Sequence, residues 1–179
     1  MKTNILYIFA VVLVMVLVGC KSEKKSDYII VDSEPVEEKQ VGPIAADDYQ
    51  LTDTVTWHGK VYTYTVSREC DKVATVAEDE DGQKFYDNKV SISIMRADNT
   101  EFYSHVFRKS SFSQYIPSTF EKGSILEGVV FEKAEADYLQ FAASIAYPQT
   151  DEYIPFAVRI SLSGNLTIVK ITQLEERLE

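Results

Sequence analysis

The chain has 179 residues, 45% of them hydrophobic, and a formal charge of −10 at pH 7. That length suits one domain with a packed core, and that charge repels nucleic acid and anionic lipid surfaces, which excludes both as partners. With two cysteines and two histidines the count excludes a disulfide framework, a His-rich zinc site and an H-E-x-x-H helix.

Lys2 precedes an apolar run, Ile5 to Val18, that closes on Leu17-Val18-Gly19-Cys20. A basic start, an apolar core and small residues at its end read as a secretory signal, and the run is too short to span a bilayer as a permanent helix. Residues 1–19 are therefore expected to be a signal peptide. The Cys20 thiol is expected to be lipidated and to become the mature N-terminus, anchoring the protein to the membrane through buried acyl chains. A non-cleaved membrane anchor is the competing reading. Residues 20–48 then read as a flexible acidic tether, with Pro35 and Gly42-Pro43 as breakers and too little apolar surface to offset ordering entropy. A coil of this length reaches about 30 Å. Tyr28-Ile29-Ile30-Val31 is a β-prone island within it, and the sequence leaves open whether it joins the domain.

Residues 49–179 are expected to form a single β-rich domain. Tyr62, Tyr64 and Val66 alternate with Thr63, Thr65 and Ser67, and Val90, Ile92 and Ile94 alternate with Ser91 and Ser93. Period two of this kind marks half-buried strands. Asp98-Asn99 turns the second run into Glu101 to Arg108, giving an antiparallel hairpin. Leu139, Phe141, Ala143, Ile145 and Tyr147 share one face, Phe156, Val158, Ile160 and Leu162 another, and Ser163-Gly164-Asn165 turns the chain into Leu166 to Thr172. Helical signals are few: Ser111 as a cap for a turn bearing Phe112, Tyr115 and Ile116, stopped by Pro117, and a closing segment 173–179 that is a short helix or a frayed tail. The fold class is mainly β, a single antiparallel sandwich or open barrel of about seven to nine strands with at most one or two short helices.

Chemistry is sparse. No G-x-S-x-G elbow, Walker loop or dinucleotide fingerprint occurs. Cys70 sits among Arg68, Glu69, Asp71 and Lys72, where two carboxylates oppose the thiolate that a Cys–His dyad needs. Glu78-Asp79-Glu80-Asp81-Gly82 suggests calcium, but aligning Gly82 with the EF-hand glycine places Ala77 and Asn88 at obligatory ligand positions, so a solvated hairpin tip is the better reading. In the loop from Tyr147 to Pro155, Tyr147 and Tyr153 flank Asp151 and Glu152. Rings beside acids can hold a sugar, by CH stacking and hydroxyl hydrogen bonds; a proline-stiffened turn between core strands is the plainer alternative. Trp57 is expected to pack.

The closing of the signal on Cys20, the acidic tether, Trp57-His58-Gly59 leading into Tyr62 and Tyr64, and Phe141-Ala142-Ala143-Ser144 through Pro148 to Asp151-Glu152-Tyr153 resemble a family of uncharacterised Bacteroidota lipoproteins with a domain of unknown function. The resemblance implies an outer-membrane location and contributes no catalytic residue. Lys21-Ser22-Glu23-Lys24-Lys25, with a single acid, favours the periplasmic face over surface exposure. Asp53-Thr54-Val55 is similar to the O-glycosylation acceptor of that bacterial group, which marks Thr54 as a modification site.

Three function classes follow. The first is a non-enzymatic binding or assembly subunit that presents a β surface to an envelope protein or glycan. The second is a carrier of a small apolar ligand, or a glycan-binding module. An enzyme ranks last, and no cofactor is expected.

Overall fold

Alternating apolar and hydroxyl side chains decide the first sheet. The computed structural model describes residues 42–172, all within the second of the chain's two units, Glu38–Glu179. The expected signal peptide, lipidated Cys20, the tether up to residue 41, the Tyr28–Val31 island and segment 173–179 lie outside the described residues. β1 (Tyr49–Trp57), β2 (Lys60–Asp71), β5 (Asp87–Arg96) and β6 (Glu101–Arg108) form an antiparallel sheet in the order β1-β2-β5-β6. The register pairs Tyr64 with Ile94 and Val66 with Ile92, so the apolar members of both runs face inward together. Asn99, with φ 62°, makes the β5–β6 turn read from the sequence.

A meander makes the second sheet. β7 (Ile125–Ala134), β8 (Tyr138–Ala146), β9 (Tyr153–Ser161) and β10 (Leu166–Lys170) pair in the order β10-β9-β8-β7. Gly164, with φ 79°, carries the chain between β9 and β10. Phe107, Phe112, Phe141 and Phe156 are fully buried between the sheets, each worth roughly 1.5–3 kcal/mol of transfer free energy. Their rings interdigitate, with Phe112 5.0 Å from Phe156 and Phe131 5.4 Å from Phe141. The architecture is therefore a filled sandwich and not the open barrel that the strand pattern equally allowed.

The described strands number ten, against the expected seven to nine. The surplus is a two-residue pair, β3 (Ala77–Glu78) and β4 (Lys84–Phe85), too short for any periodicity to reveal. Residues 109–123 hold a 3₁₀ helix (Lys109–Tyr115) and α1 (Ser118–Gly123). Ser111 lies inside the first of these, its Oγ accepting from the Arg108 N–H at 3.2 Å, rather than starting it. Pro117 does end the 3₁₀ helix, and its carbonyl then accepts the Phe120 and Glu121 N–H groups that open α1.

The two ends of the sandwich are closed differently. At one end, His58 (φ 50°) and Gly59 (φ 70°) form a mirror-image turn suited to strand twist. Trp57, 3% exposed, donates from Nε1 to the Glu135 carbonyl at 2.6 Å, and the His58 ring lies 2.6 Å from the Ala136 carbonyl. The turns of the two sheets are thereby clamped together, so Trp57 packs as expected. At the opposite end the chain enters. Residues 44–48, read from the sequence as tether, lie on the domain. Ile44 bridges Phe85, Asp48 Oδ1 accepts from the Cys70 N–H at 2.9 Å, and the Asp47 carbonyl accepts from Arg68 at 2.7 Å. Backbone pairing of a single isoleucine has no compositional signature, so the domain reaches back at least to Ile44.

Candidate functional site

The entry end gathers most of the polar chemistry. Asp71 and Asp87 stand directly opposite each other on β2 and β5, each 3% exposed. Arg108 Nε donates to Asp71 Oδ2 at 2.8 Å, and Lys109 Nζ lies 3.5 Å from Asp87 Oδ2. Asp87 Oδ1 also accepts the N–H groups of Leu126 and Asn88, both at 2.8 Å, which ties the first sheet to the start of β7. Burial pushes the Asp87 carboxyl above the usual range, against the pull of those donors and of Lys109. Lys109 Nζ donates in turn to the carbonyls of Glu121 and Ser124. This buried pair was not singled out from the sequence. Its members lie apart along the chain and meet only through strand register, and both carboxylates are engaged in holding backbone.

Beside this tie runs a groove of about 810 Å³. It unites two stretches that the sequence offered separately. Glu78, Asp79, Glu80 and Asp81 form one wall, at the tip of the β3–β4 hairpin, and Tyr147, Pro148, Gln149, Thr150 and Glu152 form the other. Thr119, Lys122 and Gly123 of α1 make the floor. Five carboxylates thus face one lysine. The hairpin tip is held by its own acid: Asp79 Oδ1 accepts from the N–H of Asp81 at 3.0 Å and of Gln83 at 2.8 Å. Among the described residues no group of three or more His, Cys, Asp or Glu is placed to hold a metal ion.

The 147–152 wall is a tight turn. The Tyr147 carbonyl accepts from the Thr150 N–H at 3.3 Å and from its hydroxyl at 3.1 Å, and the Tyr147 N–H donates to the Glu152 carbonyl at 3.0 Å. Gln149 adopts φ 61°, a left-handed conformation that is strained for a residue with a Cβ. The Tyr147 ring packs 4.4 Å from Phe120, and a Cβ on Gly123 would come within 2.8 Å of that ring. Close approach is thus why glycine floors the groove.

Of the four sequence-flagged loop residues, Tyr147 and Glu152 line the groove. Asp151 and Tyr153 are exposed outside it, Tyr153 at 54%. Lys122, Thr119 and Gly123 had no sequence signal, because they belong to a six-residue helix hidden behind Pro117.

Thr54 is exposed on the edge strand β1, paired with Thr63, and its N–H donates to Asp53 Oδ1 at 2.7 Å. Cys70 is a half-buried free thiol. Burial raises its pKa first, Asp48 and Asp71 add to this, and Lys72 opposes. His58 is at the far end, and the His105 ring lies between Tyr103 and Phe107, edge-on to the latter, so the register brings neither imidazole to Cys70. No helix among the described residues is long and apolar enough to cross a membrane.

A family model described as Domain of unknown function (DUF4738) matches residues 29–168. No curated protein matches the chain.

Proposed function

The chain belongs to the family of that domain of unknown function (DUF4738), and from this premise we propose that it is a non-enzymatic binding or assembly subunit of a Bacteroidota-type cell envelope. A lipid on Cys20 holds it at the periplasmic face of the outer membrane, and the groove at the entry end receives a basic segment of an envelope protein. One observation carries this reading: the acidic hairpin tip and the Tyr147–Glu152 turn converge on a single groove. Five carboxylates against one lysine attract a cationic partner and repel anionic ones. The aromatic filling of the sandwich weighs against a carrier, which needs a lumen. Thr54 on the exposed edge strand is accessible for glycosylation.

The test is native mass spectrometry of the full lipidated protein extracted gently from its own envelope. A co-purifying protein is expected, lost in the Glu78→Gln/Glu80→Gln/Glu152→Gln variant and weakened near 1 M salt, where screening acts over about 3 Å. A bare monomer, or a complex indifferent to both changes, overturns the proposal.

A further inference from the structure

The outermost strands of the two sheets are β1 and β6 in the first, β7 and β10 in the second. An unpaired strand edge invites another strand, and proteins guard against it with inward charges, bulges or proline. Three of these edges carry such a guard. β1 sets Asp53 on its inward row, opposite Tyr64. β6 shifts register between Ile94 and Met95, and its Arg108 N–H is already taken by Ser111 Oγ. β7 shifts register twice. β10 has no such guard: its register with β9 runs unbroken from Leu166 to Lys170, without proline, and its only charge is the terminal Lys170.

Two hydrogen bonds fix which groups of β10 face outward. The Ser161 N–H donates to the Asn165 carbonyl and the Ile171 N–H to the Pro155 carbonyl, both at 3.0 Å. Bonded and non-bonded residue pairs alternate in an antiparallel ladder, so Thr167 and Val169 bond towards β9 as Asn165 and Ile171 do. Leu166, Ile168 and Lys170 therefore turn both N–H and C=O away from the sheet, and among the described residues no bond reaches those groups. Leu166 and Ile168 pack their side chains on the core, which leaves Thr167 and Val169 on the outer face.

We propose that β10 pairs antiparallel with β10 of a second copy, about a two-fold axis through Ile168, joining the second sheets of both copies into one continuous sheet. That axis sets Ile168 against Ile168 of the second copy, and Leu166 against its Lys170. The outward residues then bond one another, with about two hydrogen bonds per pair. On the outer face Thr167 falls opposite Val169 of the second copy, a β-branched pair of the kind that stabilises sheets. The one charge in the strand meets leucine, so no like charges are opposed. A foreign peptide added to an edge is selected through pockets for its alternate side chains, and the larger clefts of the domain are lined by other elements. Self-complementarity is what β10 offers instead. The interface is separate from the groove and from the protein partner proposed for it.

The experiment is disulfide trapping of the full lipidated chain in isolated envelopes, with copper–phenanthroline as oxidant. Thr167→Cys/Val169→Cys opposes thiols in non-bonded pairs, whose Cα atoms stand about 4.5 Å apart, within reach of a disulfide. In either single variant the like thiols are out of register, about 8 Å apart at Cα, beyond that reach. Cys70 is common to all three variants and creates no difference between them. The double variant is expected to form a covalent dimer at least about tenfold more fully than either single variant. Two chains of charge −10 repel, so about 1 M salt is expected to leave the yield unchanged or raise it, opposite to its effect on the groove complex. Glu78→Gln/Glu80→Gln/Glu152→Gln is expected to leave the yield unchanged. Lys170→Pro deletes an outward N–H while sparing the bonds to β9, and is expected to abolish the dimer with little change in melting temperature. The proposal is overturned by no dimer from the double variant, by an equal dimer from a single variant, by a yield that falls with salt or with the groove substitutions, or by a dimer that survives Lys170→Pro. Should Lys170→Pro fail to fold, the comparison of double with single variants decides.

Discussion

Replacing Asp87 separates two opposing effects on one carboxylate. The group is 3% exposed, so ionising it in place forfeits hydration, while two backbone N–H groups at 2.8 Å and Lys109 at 3.5 Å favour the charge. Burial is the larger influence and raises the pKa. Unfolded, an aspartate titrates near about 3.9. The folded chain therefore binds this proton more tightly than the unfolded one. The stability it contributes is complete below about pH 3.9 and is lost as pH rises through the raised value. Asp87→Asn has no such titration, so the stability of the natural chain relative to this variant is expected to fall from pH 4 upward and then level off. At pH 7, Asp87→Ala leaves Lys109, 13% exposed, without its counter-charge and two N–H groups unpaired. Loss of one partner of a buried pair costs about 3–5 kcal/mol, a large part of the roughly 5–15 kcal/mol that holds a domain together. Asparagine keeps an oxygen for the N–H donors and is expected to cost about 1–2 kcal/mol. Urea titrations between pH 4 and 7.5 measure both effects. If the natural chain instead gains on Asp87→Asn as pH rises, the donors outweigh burial and the reasoning fails.

Three further outcomes are expected. Gly123→Ala puts a methyl 2.8 Å from Tyr147 Cε1 and 3.3 Å from the Glu78 carbonyl, and should lower stability by about 1–3 kcal/mol in thermal melts; an unchanged melting temperature would show that the ring yields freely. Trp57→Phe removes the 2.6 Å bond to the Glu135 carbonyl, a loss of about 0.5–1.5 kcal/mol in denaturant titrations, whereas no loss would mean that the end clamp is ornamental. Cys70, its thiol pushed up by burial, should react with iodoacetamide at pH 8 more slowly than free cysteine, and equal or faster alkylation would refute that microenvironment.

Much of the fold was legible because its signals are local. Thr63, Thr65 and Ser67 alternate against Tyr62, Tyr64 and Val66 within one strand, and Asn99 and Gly164 mark their turns by conformations that few residues accept. The meander was legible for the same reason, since β8 and β9 each carry an unbroken inward row. β7 was not, because irregular pairing between Leu126 and Gly128 and between Phe131 and Lys133 breaks its alternation. The candidate site was half legible. Its acids and tyrosines stood out by composition, but nothing local says that the 78–81 tip and the 147–152 turn share a groove.

The central claim is that the partner docks in the groove at the entry end. The most direct measurement is photo-crosslinking in the living envelope from a benzophenone amino acid at Thr150, in the groove wall, against the same probe at Ser104, an exposed strand position on β6. A discrete crosslinked protein from Thr150 and none from Ser104 is the expected result. A crosslink from Ser104 alone, or from neither position, would contradict it.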